Sequence, residues 1–251
     1  MKHQQLMGEE TKMSVAPVKQ LNTSGTHEIP DGLRWLESLV ASHRAILLKE
    51  PFYEVISSAT SAADFSWARQ LLHHSTEFPD VLALRRDLNK DHKYTDFLTQ
   101  HVEEEVGHSV MLAKWLERNN LIPEGEAAHA PVATNATVAC LSHAYKAAVT
   151  GNPSEHIVAL NVAVEAASFD FFNQVHPILE RLDLADEYWH LHTEADEFHS
   201  ADGLAMLEEC EAGSPEGREL AKWAREAAIF WGGMLNSWIG IDRWPAIPAS
   251  I

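Results

Sequence analysis

From Pro30 to Gly240 the apolar residues of this chain recur three and four positions apart in long windows, and runs that alternate apolar with polar are scarce. That is the period of an α-helix with one buried face, so the chain is constrained to stack helices rather than pair strands. Leu33, Leu36, Leu39, Val40, Leu47 and Leu48 stripe a first expected helix, which Pro51 stops, and a short helical turn over 52–57 follows. A second helix is expected from Ser61 or Asp64 to residue 89, kinked at Pro79. A third is expected over 93–119, then a loop over 120–132 and a fourth helix over 133–149. The fifth starts at Ser154 and runs to 182, the sixth covers 185–211, and the seventh begins at Pro215 and ends near Gly240.

Seven helices with short connections and no linker between halves read as an all-α, single-domain bundle over residues 29–251. The stretch 1–28 is polar and lacks the apolar centre of a secretory signal, so it reads as a flexible N-terminal arm. Twelve Gly and eleven Pro are too few for a turn-dense all-β chain, and 45% hydrophobic residues are too many for a disordered one.

With 37 Asp+Glu against 19 Lys+Arg, the formal charge is -18, which argues against nucleic acid or an anionic membrane surface as partner. No run of 18 apolar residues is present to span a membrane. Two cysteines, Cys140 and Cys210, make no disulfide framework, so a reducing, cytoplasmic compartment is the expectation. The Trp and Phe of the last helix suit a homodimer contact, and a buried core accounts for them as well.

Helices of over twenty residues are about 30 Å long, so their midpoints fall at the centre of a small bundle. There the sequence places polar groups that need a reason. His192, Asp196 and His199 share one face of the sixth helix, and Glu105 and His108 are neighbours on the third. Glu165 sits in the apolar run 162–167 of the fifth. A bare carboxylate in a low-dielectric core needs a cation, and no Lys or Arg is close in sequence on these faces. Imidazole with carboxylate suits a first-row transition metal, and three His with three carboxylates are enough for two ions with open positions.

Around this set, Glu104 is the fallback for Glu105 within the acidic run 103–105, and Asp202 could add a carboxylate. His101 could orient a ligand or simply pack. His73, His74 and His190 read as packing or surface residues, with a cavity-lining role second for His73 and His74. No phosphate-binding glycine loop or nucleophile elbow is present.

Taken together, Glu105-x-x-His108, a later Glu165, and His192-x3-Asp196-x2-His199 on the helix after that resemble the haem-oxygenase-like di-metal oxidases and oxygenases. The resemblance covers about residues 30–240. Many members place a glycine-containing insertion between the first Glu and its His; this chain has the compact spacing. The resemblance implies a seven-helix haem-oxygenase-like bundle and two Fe(II) ions held by Glu105, His108, Glu165, His192, Asp196 and His199, with Glu165 as the bridge. It implies O2 as co-substrate and a small organic substrate, amino-acid-derived metabolites being common, that undergoes N-oxygenation, C–C cleavage or desaturation. The competing expectation is a metal-independent enzyme or small-aromatic-ligand binder on the same scaffold, of the pyrroloquinoline quinone synthase or thiaminase-like type.

Overall fold

The structure is a computed structural model that describes residues 28–122 and 131–249, without the side chains of 194–197. The expected arm therefore lies outside the described residues, apart from Glu28. Among the described residues ten α-helices follow in order: α1 Arg34–Leu47, α2 Pro51–Ser57, α3 Ala68–Leu88, α4 Thr95–Glu105, α5 His108–Arg118, α6 Asn135–Thr150, α7 Pro153–Ile157, α8 Ala166–Arg181, α9 Glu187–Met206 and α10 Pro215–Trp238. A π-helical segment, Val158–Glu165, joins α7 to α8, so α7, the π segment and α8 form one rod. No strand occurs among the described residues, and no helix among them is long and apolar enough to cross a membrane.

The helix starts follow local chemistry. Asn152 and Glu155 close a reciprocal capping box around Pro153, Ser214 caps α10 ahead of Pro215, and the Asp186 side chain accepts from the Tyr188 amide at the start of α9. Helix α10 packs on α1, α6 and the π segment; α9 lies against α8 and the π segment; α3 backs onto α4, α5 and α6. Between them sits an aromatic core in which Trp115, Trp189 and Trp231 are buried and Trp67 stacks on Trp238.

Two local features depart from the expected seven rods. The third expected helix is two, because Gly107 adopts φ 104°, in the left-handed region, between α4 and α5. Glu105 is thus the last residue of one helix and His108 the first of the next, and exposed Val106 marks the outside of the bend. The fifth rod is π-helical over eight residues, all of them buried. A stretch apolar on every side carries no periodicity, so the sequence pattern could not separate π from α there. Helix α9 also stops at Met206, five residues short of the expected end.

Close approach of α9 to the π segment depends on Gly203: a Cβ there would lie 2.7 Å from the Asn161 Cβ. At the open end, Arg44 forms a two-pronged ion pair with Asp170, tying α1 to α8.

Gly107 has open space where a Cβ would go, so a side chain there costs backbone strain alone. Gly107→Ala is expected to lower unfolding free energy by about 1–2 kcal/mol, and Gly107→Asn by less, since Asn tolerates left-handed backbone. Chemical denaturation of the three proteins tests this; an alanine variant as stable as the parent refutes the strain.

Candidate metal centre

Four elements aim their polar side chains at one point. Helix α4 contributes His101 and Glu105, α5 contributes His108, the π segment contributes Glu165, and α9 contributes His192 and His199. All six are buried, none more than 7% exposed. Two groups of donor atoms result, each with its atoms within 4.8 Å of one another: His101, Glu105, Glu165 and His199 in one, Glu105, His108 and His192 in the other. Glu105 is common to both.

Five of the six residues expected from the sequence are therefore brought together. The sixth, Asp196, lies on α9 between His192 and His199, but its side chain is outside the described residues. Asp202 is in neither group. Glu104 turns to the back of the site, its Oε2 2.9 Å from His199 Nε2, while Gln100 donates to its other oxygen. His101 was legible only as a neighbour of His108 one heptad earlier; its place at Glu165 needed the fold. Outside the centre, His176 and His190 hydrogen-bond each other at 2.8 Å beside Glu180, and His73 reaches the Pro131 carbonyl.

Hydrogen bonds fix the polarity of the imidazoles. His192 Nδ1 lies 2.7 Å from the Tyr188 carbonyl, which can only accept, so Nδ1 carries the proton and Nε2 is bare when the ring is neutral. His199 donates from Nε2 to Glu104. Its Nδ1 is buried without a hydrogen-bond partner, 3.7 Å from Glu165 Oε2 and 4.0 Å from Glu105 Oε1. With its far N–H given to Glu104, this ring turns its other nitrogen to two carboxylate oxygens, a place that a proton or a metal cation can fill.

The electrostatics agree. Burial works against charge on every group here, yet neighbouring His rings hold the Glu105 and Glu165 carboxyls below the ordinary carboxylate range. Burial also opposes the protonation of His199 and His108, and the carboxylates outweigh it: Glu104 and Glu165 raise His199 well above its usual value, and Glu105 raises His108. Protons on these rings balance the carboxylates, in the place where metal cations would.

A cavity of about 30 Å³, with room for one or two waters, abuts the carboxylates. His74, Phe78, Phe172, Tyr188 and Trp231 are among its walls. Phe172 stacks on His192 at 4.3 Å, and the Tyr188 hydroxyl pairs with Ser75 at 3.1 Å. Burial depresses the His74 pKa to about 4, so its ring faces the cavity neutral. No Lys or Arg is among the lining residues.

Residues 66–232 match the family model described as "Iron-containing redox enzyme". Among solved structures, the chain is similar to a domain of unknown function with a haem-oxygenase-like fold from Shewanella denitrificans, at 19% identity, 84% of this chain and 93% of that one, with a TM-score of 0.67. It is also similar to a TenA homologue from Pseudomonas syringae, at 12% identity, 87% and 96% coverage and a TM-score of 0.71. At such identities the likeness is one of fold. No curated protein matches the sequence.

Burial lowers His43, His74, His143 and His192 to about 4 and His156 to about 3, with Arg225 adding to the effect at His43 and Arg85 at His156. For these the folded pKa lies below the unfolded one, so the unfolded chain takes up protons first as pH falls. Their contribution is full above about 6.5 and is lost towards pH 4. Metal-free protein is therefore expected to need less urea to unfold at pH 5 than at pH 7, with a shallower dependence in His156→Leu. Equal or greater stability at pH 5 contradicts the assignment.

Proposed function

The chain belongs to the family of iron-containing redox enzymes and has their haem-oxygenase-like fold, and from this we propose that it is a non-haem di-iron oxidase or oxygenase acting on a small organic substrate. The observation that carries the reading is the orphaned His199 Nδ1, buried between the oxygens of Glu105 and Glu165. A metal-free binding protein gains nothing from gathering that ring and two carboxylates at one point of the core.

In this reading Glu105, His108 and His192 would hold one Fe(II), and Glu105, Glu165 and His199 would help to hold the other. When bound, the two ions supply the electrons and open coordination positions at which O2 is activated. The protein's own residues supply geometry and dryness. The Tyr188 carbonyl fixes the ring plane of His192, and the Glu104 carboxylate fixes that of His199. Phe78, Phe172 and Trp231 wall the small cavity and keep bulk water from the carboxylates. With no cation in the cavity wall, a charged substrate group would have to meet the centre itself.

Anaerobic titration is expected to show two Fe(II) per chain in the parent, one in His192→Ala and one in His199→Ala, and loss of both tight sites in Glu105→Ala. On exposure to O2, iron-loaded parent protein is expected to consume the gas and develop a transient visible absorption that metal-free protein lacks. Parent-like binding and O2 uptake by His199→Ala would overturn the proposal.

A further inference from the structure

We propose that Arg85 is a positioning residue of this centre: from the buried side, its guanidinium fixes His101 as a hydrogen-bond donor to Glu165 and so withholds His101 from the metals. This rests on the di-metal reading above, but its main test does not.

Arg85 lies on α3 and is 0% exposed. Its NH1 donates to Asn161 Oδ1 at 2.7 Å and its NH2 to His101 Nδ1 at 2.7 Å, while its Nε has no hydrogen-bond partner. A guanidinium has donors only, so His101 Nδ1 must be bare. Asn161 Nδ2 approaches the same nitrogen at 3.0 Å, the second donor there. A neutral His101 then carries its proton on Nε2, which lies 2.9 Å from Glu165 Oε1 and donates to it. The order is a one-way chain, Arg85 to His101 to Glu165, with every link buried.

This polarity is opposite to that of a ligating histidine. A metal-bound imidazole donates its remote N–H to an acceptor, as His192 does to a carbonyl and His199 to a carboxylate. The remote nitrogen of His101 instead accepts from a cation, and its near nitrogen bears a proton aimed at a carboxylate. Proximity alone groups His101 with Glu105, Glu165 and His199. The hydrogen bonds assign it a different task, holding Glu165 by one oxygen while the other, Oε2, faces His199. Asn161, four residues before Glu165 on the same π segment, is held by the same guanidinium, so Arg85 also sets the register of that segment.

The primary test is nitrogen NMR on metal-free wild-type protein with labelled histidine. The expected result is a His101 ring protonated at Nε2 and bare at Nδ1; the reverse tautomer overturns the proposal. The second test is anaerobic Fe(II) titration of two variants. His101→Gln keeps an N–H near Glu165 and is expected to retain two ions per chain. Arg85→Met is expected to weaken one of the two ions by about 10–100-fold, the usual effect of losing a group that orients a ligand. A drop to one ion in a folded His101→Gln protein makes His101 a ligand and overturns the proposal. Should wild-type protein take up no metal, the di-iron reading fails, and the tautomer alone decides the role of Arg85.

Discussion

Two carboxylates at the centre of an acidic protein set the terms for everything around them. Glu105 and Glu165 are 7% and 3% exposed in a chain with formal charge -18. Each would cost several kcal/mol if left bare in the core, so positive charge must reach them. Without metal, that charge is protons on His199 and His108, whose affinity for them is raised by the same carboxylates. A metal cation entering here would compete with those protons, and its uptake would release them. Among the described residues Arg85 is the one buried Lys or Arg, and it acts at one remove, through His101.

Burial and proximity do not sort the histidines; hydrogen-bond direction does. His101, His192 and His199 are equally buried, at 2%, 6% and 6%, and all lie beside the same carboxylates. The rings of His192 and His199 donate outward and leave a nitrogen facing in, whereas His101 is met from behind by a donor. Residue type and helical spacing cannot carry that distinction, because it is made by a carbonyl on α9, a carboxylate on α4 and a guanidinium on α3. For the same reason the sequence left Glu104 and Glu105 open. They are adjacent in one acidic run, and only the packing of α9 on α4 turns one to the back of His199 and the other between both donor groups.

The bundle itself was legible because burial in a helix leaves a three-four stripe, and Pro215 opens the last helix as expected; the fifth rod starts at Pro153 behind an Asn152 cap and not at Ser154, because Asn152 and Glu155 close a reciprocal box that spacing alone does not single out. The motif residues were legible because a charge inside an apolar run, such as Glu165, has no place on an ordinary buried face. What stayed hidden were features without a periodic signature. The cavity walls were legible only in part: lining a cavity was the second reading for His74, and spacing alone does not separate a wall such as Phe78 or Trp231 from plain core. The π segment was not legible, since it is buried all round.

Both breaks from α-helical geometry fall at the same two carboxylates. Glu105 ends α4 at the left-handed Gly107, and Glu165 ends the π segment. On a straight helix Glu105 and His108 would be near neighbours on one face, which is the reason the spacing drew notice. Here they are neighbours across a bend, His108 Nδ1 3.0 Å from Glu105 Oε2, with both helices packed on α3 and α5 also on α9. The π segment makes a similar adjustment opposite, adding a residue to each hydrogen-bonded turn so that Asn161 meets Arg85 while Glu165 meets His101 and His199. Irregular backbone costs stability and persists where the surroundings over-determine it. In this bundle both irregular stretches are held by contacts that converge on the carboxylates, so the geometry of the centre and the departures from ideal helix are two sides of one constraint.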